Sequence, residues 1–240
     1  MALALAGPAA AQEVTIDLGG EDSLTLRAVQ LFAVVTLLSL APALAVMITC
    51  FPFMVTVLSI LRTAIGLQQS PPNMLIVSLA LFLTWFVMAP IFETAWAEGV
   101  QPFVDATLDV ETAAERTLAP FRGFMAARVD PDALAALADA ALPADAAAQA
   151  AAQGQGPQDA PLSLLTPAFM LSEISRAFEI GFLIYLPFLI IDLVVASILM
   201  SMGMMMVPPA VVSLPFKLAF FVVADGWSLL AGALVRGYGA

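Results

Sequence analysis

Few side chains in this 240-residue sequence can do chemistry, and the ones that stand out do so because of what surrounds them. Lys217 is the one lysine in the chain and lies inside an apolar run. Asp192 is the single charge between Ile180 and Phe216. An ammonium or a carboxylate in such a setting is expensive without a partner, so each is expected to have one. Glu173, Glu179, Asp192 and Asp225 are the carboxylates within reach of Lys217 along the chain. The alternative for Lys217 is snorkelling, with the stem buried and the ammonium in water. Asp192 can relay protons or anchor a helix by hydrogen bonding. The anchor is the better fit, because neither a second carboxylate nor a histidine stands three or four residues away.

The methionines are the second unusual feature. Met200, Met202, Met204, Met205 and Met206 crowd into seven residues and run into Pro208-Pro209. A turn between membrane-length helices usually carries polar residues, and this one carries thioethers. An unbranched thioether adapts to irregular surfaces. A collar of Met204, Met205 and Met206 from several chains could seal a pore and deform around a passing polypeptide. The competing explanation is ordinary helix packing. Catalysis has no evident carrier: there is no phosphate-binding glycine loop, no nucleophile elbow and no histidine. No metal or cofactor site is expected, and the chain reads as a non-enzyme.

The elements that must position these residues follow from composition. The chain is 62% hydrophobic and 11% charged, against roughly 45–50% and 25% in soluble domains. That is the composition of an all-α, polytopic membrane protein. The net charge of −11 excludes a nucleic-acid footprint. The lone Cys50 excludes a disulfide within the chain.

Four regions are expected. Residues 1–22 combine a signal-like run, Met1–Ala11, with an acidic lead. Residues 23–97 form an N-terminal helical membrane region. Within it Ala28–Leu61 is too long for one crossing, and Pro42 and Pro52 predict a long kinked helix, or a span and then a short helix, ending at Gly66. Ser70 and Pro71 are placed to start the next span as cap and first helical residue. Residues 98–165 form an acidic extracytoplasmic segment, with helices over Asp105–Met125 and Ala133–Leu142 and an Ala/Gln-rich linker over Ala144–Pro161. Residues 166–240 form a helical hairpin around the methionine turn. An ideal hairpin turning near Met206 does not bring Glu173 to Lys217, because Glu173 lies much farther from the turn. A contact between neighbouring subunits suits that pair better. Arg62 in the short loop points that loop to the cytoplasm, with the acidic segment and C-terminus outside.

These motifs carry a resemblance. Thr166–Trp227, which includes MSMGMMMVPPAVVSLPFKLAFF, closely resembles the FliP family of flagellar type III export-gate proteins. ILRTAIGLQQSPPNMLIVSLALFLTWFVMAPIF, Ile60–Phe92, resembles the family's other signature. The resemblance implies an inner-membrane protein of the flagellar basal body. About five copies would assemble in a ring or spiral, together with FliQ and FliR. The complex would conduct unfolded flagellar subunits and sit largely above the bilayer plane. It also implies a gasket at Met204, Met205 and Met206, and an inter-subunit pair of Glu173 with Lys217. A signal peptide is common in the family. Ala126–Gln158 departs from its pattern. The rival readings are an ion-coupled transporter using Asp192 and the injectisome homologue of the same gate.

Overall fold

The computed structural model describes residues 21–67, 71–141 and 156–238. The signal-like run Met1–Ala11, Ser70 and most of the Ala/Gln-rich linker lie outside the described residues. Everything regular among the described residues is helical: α1 (Glu21–Met47), α2 (Phe51–Ile65), α3 (Asn73–Ala95), a π-helical turn (Trp96–Val100), α4 (Gln101–Val104), α5 (Val110–Arg128), α6 (Pro131–Ala141), α7 (Leu162–Ser201), α8 (Pro209–Val223) and α9 (Gly226–Arg236). Contacts group the chain into two units, up to Ala43 and from Leu44 onward.

The prolines act as their chemistry requires. Pro42 is accommodated inside α1, and the chain breaks at Ile48–Cys50, just before Pro52 in the first turn of α2. A proline lacks the N–H that an interior turn needs, but a first turn does not use it. The expected Ala28–Leu61 stretch is thus a span followed by a short helix. Gly66 ends α2 at φ +89, a left-handed cap that glycine adopts without steric cost. The α3 start differs from expectation. Pro72 occupies the cap position in an extended conformation and Asn73 opens the helix, so Pro71 is not the first helical residue. Arg62 donates to the Asn73 side chain and ties the two helix ends together.

Among the described residues, three helical stretches are long and apolar enough to cross a membrane: Arg27–Met47, Asn73–Val104 and Leu162–Ser201. A fourth is available if α8 and α9, bent by 61°, count as one broken span. α7 has 40 residues, about 60 Å at 1.5 Å per residue. That is roughly twice the hydrocarbon thickness of a bilayer, so α7 is longer than a single crossing needs.

The core of the Leu44–Ala240 unit is built on α2. Met54, Val57, Leu58, Leu61, Ala64 and Ile65 recur at helical spacing and are all buried. This stripe packs chiefly on α7. The helices meet closely at Gly181, where an added Cβ would stand 2.3 Å from Ile60 Cδ1. Small residues permit such approaches between apolar helices. A similar device joins α5 to the π-helical turn: a Cβ on Gly99 would fall 2.1 Å from Thr117 Oγ1. The expected helix over Asp105–Met125 is interrupted. Ala106 has φ +55, and α5 starts only after Asp109, whose carboxylate accepts from the Thr112 N–H at 3.2 Å. A second buried cluster joins Met125, Ala126 and Val129 to Leu165, Ala168 and Phe169 of α7.

Candidate functional site

α7 carries Glu173, Glu179 and Asp192, and the first and last of these are met by different elements. Near the hairpin tip, Asp192 faces α8. Lys217 Nζ donates to Asp192 Oδ2 at 2.6 Å, and Ser213 Oγ donates to Oδ1 at 2.5 Å. Ser213 and Lys217 are four residues apart on α8 and therefore share a face. Lys217 Nζ also donates to the Ala64 carbonyl at 3.1 Å. Ala64 lies in the last turn of α2, where carbonyls lack helical partners and the helix end is partially negative. One ammonium therefore pins α7, α8 and the end of α2 together. It is 5% exposed, and Ser213 is fully buried. Of the four candidate carboxylates for Lys217, the chain itself supplies Asp192.

Glu173 sits in the other half of α7 and is 0% exposed. Arg128 Nε at the end of α5 donates to its Oε1 at 2.9 Å, and Arg176 Nη1, one turn along α7, stands 3.5 Å from the same oxygen. The Tyr238 hydroxyl donates to Oε2. A buried carboxylate needs this level of saturation. Within one chain Glu173 and Lys217 are not brought together, and each has its own partners. Arg128 and Tyr238 have no individual signal in the sequence. Arg128 stands in a mainly acidic segment and Tyr238 in a glycine-rich tail.

The methionine turn owes its conformation to backbone bonds. Gly203 takes φ +76. Its N–H donates to the Met200 carbonyl at 3.0 Å, and the Met204 N–H donates to the Leu199 carbonyl at 2.9 Å. This is the Schellman pattern, which closes a helix end using main-chain donors alone. Polar side chains are therefore not needed to satisfy the end of α7, and the turn can be apolar. Pro208 and Pro209 then open α8. Met204 is 40% exposed, Met205 84% and Met206 97%. Met205 and Met206 therefore make little contact with the described residues of their own chain, while Met204 is more than half covered.

The sequence pattern of the FliP family matches residues 34–234. A flagellar biosynthetic protein FliP from Caulobacter vibrioides is 52% identical, over 96% of this chain and 85% of its own length. Its counterpart from Agrobacterium fabrum is 45% identical over 98% and 95%. A more distant one, from Bacillus subtilis, is 41% identical over 88% and 91%. The match takes in Met204–Met206, Asp192, Lys217 and Glu173 together with most of the helical framework. The chain belongs to the FliP family.

Proposed function

We propose that this chain, by its family a membrane component of the flagellar type III export gate, forms the wall and closure of a protein-conducting passage together with further copies of itself. The family's part in the export apparatus is structural. The observation that carries the reading is the turn: three consecutive uncharged methionines, two of them almost fully exposed, at the tip of a hairpin whose two arms are joined by a partly buried ion pair. A flexible apolar tip on a rigid stem suits a seal, because the stem sets position while thioethers fit an irregular surface.

About five copies would surround one axis, with FliQ and FliR as partners, so that each tip covers the tips beside it. Unfolded flagellar subunits would be the cargo. The gate would lie in the inner membrane, with the acidic segment and C-terminus periplasmic. Asp192 serves here as a polar anchor, supported by its two donors, and not as a transporter's coupling site. The family's inter-subunit pairing of Glu173 with Lys217 requires both side chains to exchange the partners they hold within one chain.

The test is cross-linking between copies. A Met206→Cys chain is treated in membranes with a short bifunctional maleimide; Cys50 is buried and stays silent. Covalent dimers of this chain are expected. Monomer alone, in membranes where the complex is assembled, overturns the shared-axis reading.

A further inference from the structure

Tyr238 lies two residues past the end of α9, in a segment to which the preceding function gives no role. Its surroundings are specific. The ring is T-shaped to Phe53 of α2, with centroids 5.3 Å apart, and stacked on Phe124 of α5 at 6.2 Å. The Arg128 guanidinium lies 3.8 Å from the ring centroid on its face, a cation–π contact. Arg128 Nη1 also donates to the Gly237 carbonyl at 3.3 Å. The hydroxyl donates to Glu173 Oε2, while both arginines address Oε1.

Among the described residues, one oxygen of a fully buried carboxylate thus has a single donor, and that donor is carried by the segment after α9. Removing it leaves charge in a dry site, which costs more than the bond itself contributes. The contacts also run in one direction. Residues 237 and 238 touch α2, α5 and α7, so the end of α9 is held from three sides.

We infer that Tyr238 is a latch: by completing the hydrogen bonding of Glu173, it fastens the end of α9 over the start of α2 and the end of α5. Tyr238 is a positioning residue that acts through Glu173 and Arg128. When it disengages, the end of α9 lifts from the start of α2 and the end of α5. Cys50 reports this directly. It is the single cysteine of the chain, is 0% exposed and belongs to the same buried cluster as Phe53. Burial pushes its thiol up to about 12, so the closed state is unreactive at neutral pH.

The experiment compares the full-length wild-type chain with Tyr238→Phe, a change that removes one oxygen and keeps the ring. Two quantities are read: the rate of Cys50 modification by N-ethylmaleimide, and amide exchange along the chain. The latch predicts labelling faster by roughly ten- to a hundredfold, the range that accompanies loss of a hydrogen bond to a charged group. Faster exchange should be confined to the last turn of α9 and residues 237–238. Unchanged labelling overturns the inference. Faster exchange spread evenly over α2, α5 and α7 also overturns it, because Tyr238 would then support the fold in general and fasten nothing in particular.

Discussion

The two halves of α7 solve the same electrostatic problem in different ways. Near the tip, Asp192 is balanced by a lysine and a serine from one neighbouring helix, and its side chain remains 29% exposed. In the other half, Glu173 is sealed from solvent and held by groups from α5, from α7 itself and from the chain end. The first arrangement joins two arms of a hairpin and leaves its apolar tip free. The second joins distant parts of the sequence into one body. A stem of this kind can hold a deformable tip in place, because the rigidity sits away from the methionines.

Reversing Lys217 is the most damaging way to break this contrast. Lys217→Glu puts a second anion beside Asp192 and removes the donor to Ala64. Breaking a buried pair in this way costs about 3–5 kcal/mol, so little folded chain is expected on a native gel. The rescue partner is informative. Recovery with Asp192→Lys assigns the charge to the hairpin of one chain; recovery with Glu173→Lys assigns it to a contact between chains.

Next in size is Gly181→Leu. The added side chain collides with Ile60 where α2 meets α7, and overpacking costs about 1–3 kcal/mol. Thermal unfolding should show the loss, and Ile60→Ala should return most of it if the close approach is the cause. Gly203→Ala tests the tip. A left-handed conformation costs a residue with a Cβ about 1–2 kcal/mol. The cap at the end of α7 should loosen while the Glu173 cluster keeps its protection from amide exchange. Equal loosening in both halves would remove the division drawn here.

The smallest effect concerns pH. The Thr112 hydroxyl and N–H hold the Asp109 carboxyl below its usual range. A depressed folded-state value means the stabilisation is present above the unfolded value near 3.8 and is lost as pH falls through the lower folded value. Amides in the first turn of α5 should therefore lose protection only in strong acid, and Asp109→Asn, itself a good cap, should flatten that response.

Much of the tip was legible in the sequence and little of the stem. Asp192, Lys217 and the methionines stand out because apolar runs make any exception visible, and Pro52 announces where the first stretch divides, whereas Pro42 is absorbed within α1. The Schellman turn needed only Gly203, but one glycine among 14 carries no flag. Glu173 was found without its partners, because Arg128 and Tyr238 lie 45 and 65 residues away. Packing sets such distances, and no local pattern encodes them. The helix over Asp105–Met125 failed at Ala106 for a related reason: an alanine at positive φ goes against its own preference and is held there by its surroundings.

Ion conductance of the assembled complex in a planar bilayer tests the central claim most directly. With Met204, Met205 and Met206 intact the resting complex should hold back ions, and with all three replaced by alanine it should leak steadily. A triple variant that assembles normally and stays as tight as the wild type would contradict a seal made of thioethers.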